Sequence, residues 1–424
     1  MIARILSTPI QQPGGQIPTG KPRRVDRAVL AAVLPGPARD RLAAGEVLAV
    51  TTGQQPGLFT GPLYTVYKAL SAIALAQRLE RERGVPVVPV FWVAGDDHDF
   101  AEANHAQVLG RDGDVVNIVL RERPYDAPQL PLFRELCGPD VRAALDALAT
   151  ALPDSEFKPA VLEWLESAYT PDANLADAGA QALHRLLAER GLAVFRAHDS
   201  APKRLAAPTI LRALGEVLAD GLSPVLVEGR LGRDRLRPDG GDFVTRRSSE
   251  RFTRKELEKL ASEAPERLSP NVLLRPVVEA VLFPTVAYMG GPAELEYFAD
   301  AAPLFTSLGV TPQAVVPRWS GVILESRVDK VLERHGLSPP ISMARRVVSR
   351  PRSRDPISRP RSRRPSPTCA ASWSRGTRRS VARCSASTRL WSARCSRRVI
   401  RRWRVHTRSR KSSSRLSSAR RGPW

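Results

Sequence analysis

Two apolar runs of strand length, each ending in a loop of unusual composition, constrain this chain more than any other feature. The first, "EVLAVTT" from Glu46, runs into "GQQPGLFTGP" and then into "LYTVYKALSAIALAQRLERER". In that last segment Leu63, Val66, Tyr67, Leu70, Ile73 and Ala74 recur at three- and four-residue spacing, which predicts an amphipathic helix. The second run, "VPVVPVFWVA", ends in "GDDHDF". Strand, helix and strand joined by short loops form the unit of a parallel sheet. Ligands of such sheets bind beyond the carboxyl ends of the strands. Both loops are therefore expected to face one crevice. Pro89, inside the second run, predicts an edge or distorted strand.

The same grammar extends along the chain. "FAEANHAQVL" reads as a short helix and "DVVNIVL" as a strand, while "LAVFRAHD" is a further strand followed by a helix from Ala201. "LFPTVAYMGGPAELEYF" repeats strand, glycine loop and helix, "QAVVPRWSGVI" is a last strand and "ESRVDKVLERHG" a last helix. The expected organisation is an N-terminal segment, 1–45, and an α/β core with a parallel sheet, 46–340. Helical insertions are expected at about 140–190 and 225–265. Within the second of these, "GRDRLRPDGGDFVTRRSSERFTRKEL" is polar and irregular, an insertion or an exposed hairpin.

The formal charge of +22 belongs to one end of the chain. Residues 341–424 hold 26 Lys and Arg against one acid, Asp355, so the first 340 residues carry about −3. The tail has 19 serines and 25 arginines to one lysine, with neither helical nor strand periodicity. It cannot bury enough apolar surface to offset the ~1–2 kcal/mol per residue of backbone ordering, and disorder is expected. One reading is an RNA-binding segment, attracting nucleic acid nonspecifically through phosphates. The abrupt change, the Arg:Lys bias and the enrichment in Trp and Cys point instead to out-of-frame translation of a GC-rich gene. A lone Cys137 in the first 340 residues, against Cys369, Cys384 and Cys395 in the tail, makes no disulfide framework. With no apolar segment of signal-peptide or membrane-spanning length, a cytoplasmic protein is expected.

Chemistry concentrates in the loops. Gly53, Gly57 and Gly61 allow close backbone approach, and Pro62 suits a first helical turn. A helix N-terminus there suits a phosphate or carboxylate, with Thr60 as cap or contact and Lys68 along the same crevice. The pattern is neither of the standard nucleotide fingerprints, and a capped tight turn fits it equally. Asp96, Asp97, His98 and Asp99, with His105 seven residues beyond His98, suit a general base oriented by a carboxylate. They equally suit a divalent metal or, with Asp99 as N-cap, the start of a helix. Gly290 and Gly291 precede a helix whose first turn holds Glu294, a dipole-favoured position. Asn271, Arg275 and Arg318 are candidates for binding a carboxylate, or for structural ion pairs.

Together, "TTGQQPGLFTGPLYTVYKALSAIALA", "PVVPVFWVAGDDHDFAEANH", "LSPNVLLRPVVEAVLFPTVAYMGGPAELEYF" and "VVPRWSGVILESRVDKVLERHGL" resemble, in order from about 45 to about 337, the bacillithiol biosynthesis cysteine-adding enzymes, BshC. The resemblance implies a Rossmann-like core followed by a coiled coil used in dimerisation. Here the Arg/Ser segment stands in the coiled coil's place, which puts a homodimer in doubt. It further implies a ligase that joins the carboxyl of L-cysteine to the amine of glucosaminyl malate, with activation by ATP or another nucleotide. On that basis Gly53, Gln54, Gln55, Gly57, Thr60, Gly61 and Lys68 are expected to hold the nucleotide. His98, with Asp97 or Asp99, is expected to be the base. Asp96, His105, Asn271, Arg275, Gly290, Gly291, Glu294 and Arg318 are expected around the substrate, with Arg275 or Arg318 on malate. The rival readings are a metal-dependent hydrolase using Asp97, His98 and His105, and RNA binding through the tail.

Overall fold

The computed structural model describes residues 2–7 and 16–337; the Arg/Ser-rich segment lies outside them. Its centre is a five-stranded sheet in the order Ala314–Pro317, Thr285–Gly290, Leu48–Gln54, Val87–Val93, Ala193–Arg196, with every neighbouring pair parallel. All seven residues of Val87–Val93, and the first six of Leu48–Gln54, are buried. Helices on both faces explain why these strands read as unbroken apolar runs. The helix Tyr64–Arg83 covers one face with Ala69, Ala72, Ile73, Leu75, Ala76 and Leu79, and Gly84 ends it in the left-handed region at φ 65°. The helices Ser200–Ala213 and Arg275–Leu282 contribute Ala206, Ile210, Val277 and Leu282 to another core cluster against the sheet.

Val87–Val93 is an internal strand, contrary to the edge expected from Pro89. The short Ala193–Arg196 strand pairs with it only from Val90 onward, so on that side Pro89 precedes the ladder. "FAEANHAQVL" is likewise not one helix. Phe100–Ala103 makes a single turn, and His105–Leu109 is a strand paired antiparallel with Val115–Val119. His105 therefore opens a strand, and the seven residues from His98 to it do not form a continuous helix.

The 225–265 region, expected as a helical insertion, is largely an antiparallel sheet. Its order is Arg251–Phe252, Asp242–Thr245, Gly232–Asp239, Val225–Gly229, Leu268–Pro270. Only Arg254–Glu263 is helical there, started by a Thr253–Glu256 capping box. Gly240 and Gly241, at φ 61° and 96°, make the two-residue turn that joins two of the strands. The strand pattern is hidden because the buried positions of Gly232–Asp239 include Gly232 and Asp234 beside Leu236. Asp234 is satisfied there by the backbone amides of Arg235 and Arg247.

The "GDDHDF" loop packs against the end of the Ala193–Arg196 strand. A Cβ on Gly95 would lie 2.4 Å from His198 Nδ1 and 2.9 Å from the Ala176 Cβ. Gly95→Ala is therefore expected to cost about 1–3 kcal/mol through overpacking, read as a lower urea midpoint with an unchanged slope.

Candidate active site

A cleft of about 620 Å³ opens at the carboxyl ends of the central strands. One wall comes from the parallel sheet and its loops, including Gly53, Gln54, Gln55, Asp96 and Asp97. Arg233, Pro270 and Asn271, from the antiparallel sheet and the turn that follows it, form the opposite wall. Lys68, Arg275, Gly291, Glu294 and Arg318 also border the cleft. Eleven of the candidates named from sequence thus meet around one space, as the strand–loop grammar required.

A closed circuit of polar contacts supports this space. Lys68 Nζ donates to the Gly53 carbonyl at 2.9 Å, to Gln54 Oε1 at 2.9 Å, and to Glu294 Oε2. Glu294 also accepts from the Gly291 amide at 2.7 Å and the Tyr288 hydroxyl at 2.6 Å. Tyr297 connects Glu294 to Arg275, whose Nη2 donates to its hydroxyl at 3.1 Å. Arg275 also lies 4.8 Å over the Tyr288 ring and donates to Glu279 Oε2 at 2.8 Å. Glu279 closes the circuit by accepting from the Thr51 hydroxyl, on the strand that carries Gly53. Burial lowers the Lys68 ammonium, with Glu294 offsetting part of the effect. Burial works against the charge of Glu294 too, but Lys68, the Gly291 amide and Tyr288 together hold its carboxyl below the ordinary range.

The acidic loop divides between two spaces. Asp96 faces the cleft and pairs with buried Lys203 at 2.7 Å. Asp97 also lines the cleft, while its Oδ1 accepts from the amides of His98 and Asp99 at 2.6 and 3.1 Å. His98 and Asp99 border a neighbouring cavity of about 270 Å³ instead. Asp99 caps the Phe100–Ala103 turn through the Glu102 amide, at 3.0 Å. His98 Nδ1 lies 3.3 Å from Nη1 of Arg233, whose other nitrogens donate to Ser269 Oγ and the Pro270 carbonyl. Facing that donor, Nδ1 is an acceptor and the imidazole is neutral. Burial first, and Arg233 second, bring its pKa down to about 4.

The remaining candidates lie elsewhere. Gly57 and Thr60 line a separate hollow of about 10 Å³. Thr60 and Phe59 have φ of 74° and 53°. This constrained loop closes on Tyr169, which takes the Thr60 amide at 2.6 Å and donates to the Gly57 carbonyl at 2.8 Å. The Gly61 amide is spent on the Leu58 carbonyl at 3.0 Å. His105 Nδ1 faces the Ala101 carbonyl and Asn104 Oδ1, at 3.0 and 3.2 Å. Gly290 ends its strand and accepts from the Arg318 amide at 2.9 Å. Among the described residues no group of three or more His, Cys, Asp or Glu is arranged to hold a metal ion.

Sequence comparison accounts for the same stretches. The family described as "Bacillithiol biosynthesis BshC, N-terminal Rossmann-like domain" matches residues 38–220 and 226–319, which take in both central loops and the opposite wall. The chain belongs to the BshC family. A protein of Salinibacter ruber named "Putative cysteine ligase BshC" is 37% identical over 315 residues, covering 69% of this chain and 57% of the relative. Relatives of the same name from Heliobacterium modesticaldum and Chlorobaculum tepidum are 37% and 33% identical, each over 70% of this chain and 59% and 58% of their own lengths. The chain therefore matches less than two thirds of these relatives. No helix among its described residues is long and apolar enough to cross a membrane.

Within this BshC cleft, several contributors escaped the sequence reading: Arg233, Lys203, Tyr288, Tyr297 and Glu279. Glu279 carried a usable signal, a carboxylate on the buried side of the apolar helix "RPVVEAVL". Arg233 carried none, because the surrounding strand reads as a charged loop.

Two outcomes test this geometry. The His98 ring should titrate with a midpoint near 4, followed by its Cε1 proton resonance, and Arg233→Met should raise that midpoint toward 6.5. The unfolded imidazole binds its proton near 6.5 and the folded one only near 4, so this group lowers stability as pH falls through that window and has no such effect above it. An unmoved midpoint in the variant would refute the Arg233 contact. Lys68→Met leaves Glu294 buried without its cation and should cost about 3–5 kcal/mol in chemical denaturation.

Proposed function

We propose that this chain carries the site at which L-cysteine is joined, through its carboxyl group, to the amine of glucosaminyl malate. Its family membership supports the reaction class. The observation that carries the substrate assignment is the distribution of charge along the carboxyl edge of the sheet. Arg318 follows the Ala314–Pro317 strand, and Asp97 follows Val87–Val93, three positions away in the sheet order, beside Asp96, whose charge is matched by Lys203. At about 4.8 Å per strand, the cationic and acidic ends are separated by roughly 14 Å. A ligand with carboxylates at one end and an amine at the other suits that separation.

Arg318 is the better partner for malate. Its Nη1 donates to the Trp319 carbonyl and Ser320 Oγ, which fixes the guanidinium over Tyr64, while its buried Nε has no protein partner. Arg275 is already engaged by Glu279 and Tyr297 and reinforces the field. At the other end Asp97 orients the ammonium and is the acceptor offered to its proton. The freed nitrogen then forms the C–N bond to the cysteine carboxyl carbon, from which one oxygen leaves. His98 is not placed for this step: it borders the smaller cavity, and its Nδ1 faces Arg233.

The departing oxygen needs activation, and a nucleotide would supply it. The residues expected to cradle its phosphates do not fit that task. The Thr60 and Gly61 amides are used inside their own loop, and the Lys68 ammonium is committed to three protein oxygens. No step is therefore assigned to that cradle.

The test is to incubate the chain with L-cysteine and glucosaminyl malate, adding each nucleoside triphosphate in turn, and to detect the amide by mass spectrometry. Product is expected with at least one nucleotide. Arg318→Ala should raise KM for glucosaminyl malate about ten- to a hundredfold, the loss of one charge-assisted contact, and change KM for cysteine far less. No product with any nucleotide would overturn the proposal.

A further inference from the structure

One buried acid has no part in that mechanism. Glu279 is completely inaccessible to solvent, yet it touches the cleft through a single intermediary: it accepts from Arg275, and Arg275 lines the cleft. Its other oxygen accepts from the Thr51 hydroxyl. Among the groups of the polar circuit, Lys68 and Arg275 are cations and Glu294 and Glu279 are the acids. With Glu279 ionised the four sum to zero; with Glu279 protonated they sum to one positive charge.

We propose that binding of a dicarboxylate in the cleft is coupled to uptake of one proton by Glu279. This rests on the reading of the cleft as a dicarboxylate site. An incoming dianion beside Arg275 and Arg318 favours whichever state of the circuit is more positive, and a low-dielectric surrounding magnifies that preference. Of the two acids in the circuit, Glu294 is held below the ordinary carboxyl range, and Glu279 is the one brought toward neutral pH. Burial pushes Glu279 up to about 7, against the pull of Arg275 and the Thr51 hydroxyl, and Glu294 adds to the upward push.

The groups facing Glu279 are accounted for on every side. Arg275 comes from its own helix, Tyr288 from the adjacent strand, and Glu294 and Tyr297 from the helix Pro292–Ser307. The helix Ser200–Ala213 also packs against the helix of Glu279, but its buried Lys203 is spent on Asp96 and the Leu268 carbonyl. At the far end Arg23 donates to the Ala280 and Val281 carbonyls. No other described acid touches the circuit in place of Glu279.

The coupling has a definite sign. Affinity for the dianion is highest where Glu279 is already protonated in the free protein and falls as pH rises above about 7, by at most about tenfold per pH unit for one linked proton. L-Malate is a suitable probe, since its own carboxyls are ionised across that range. Calorimetric titration of malate into the full chain, in HEPES and in Tris, should give apparent enthalpies whose difference, divided by the difference in the buffers' ionisation enthalpies, corresponds to a fraction of one proton taken up. Glu279→Gln should abolish that difference and make the Kd independent of pH. Thr51→Val, which removes a hydrogen bond to the ionised form, should move the pH-dependent window upward, and it serves as the second variant should Glu279→Gln fail to fold. Malate binding without net proton uptake, or uptake that persists in Glu279→Gln, overturns the inference and leaves the dicarboxylate site standing. No malate binding at any pH removes the dicarboxylate reading itself, and this inference with it.

Discussion

The ion pair between Lys68 and Glu294 holds the cleft in register. Each residue belongs to a helix that follows a glycine-containing loop, and the loops end neighbouring parallel strands, Leu48–Gln54 and Thr285–Gly290. A pair this buried gains little net stability from its charges alone, because desolvation offsets most of the attraction. What the pair supplies is geometry. The ammonium also binds the Gly53 carbonyl and the Gln54 side chain, while the carboxylate binds the Gly291 amide and Tyr288. Two loops that could slide past one another are thereby tied at five points. Satisfied networks in a low dielectric rigidify in this way, whereas a half-satisfied one would be worse than none.

The opposite wall depends on a second long-range tie. Arg233 leaves the antiparallel sheet, binds Ser269 and Pro270 on its own side, and meets His98 of the acidic loop. That contact explains how adjacent residues serve different spaces, with Asp96 and Asp97 in the cleft and His98 and Asp99 in the smaller cavity. It also explains why a histidine among three aspartates is not poised as a base. Aspartates beside an imidazole would raise its basicity, but burial and a guanidinium against Nδ1 outweigh them.

What could be read from the residues divides along physical lines. The central strands were legible because helices on both faces demand continuous apolar sequence. The crevice was legible because parallel strands put their following loops at one end. The antiparallel wall was not, because Gly232 and Asp234 occupy buried positions where a strand pattern would need apolar side chains. Loop residues drew attention for their glycines and charges, so Gly57, Thr60 and Gly61 were expected at a ligand; Tyr169, distant in sequence, engages Gly57 and Thr60 instead, and the Gly61 amide turns back to Leu58. Tyr288, Tyr297 and Glu279 were overlooked for the opposite reason: they sit within the strand and helices rather than in the loops. Asp99 fits the plainest of its three readings, as a helix cap.

The strand Ile2–Ser7 pairs with Gly321–Glu325, and Arg4 reaches Asp329 in the last described helix. During synthesis on the ribosome this opening segment has no partner until more than three hundred further residues have emerged. It must remain unpaired while the parallel sheet assembles, since closing so long a loop early would cost chain entropy with no contacts to offset it. The ribbon is thus a late fastening. It docks beside Trp319, whose indole donates to Ser7 and whose amide donates to Ser71, so the last contacts to form lie next to Arg318 at the cationic end of the cleft.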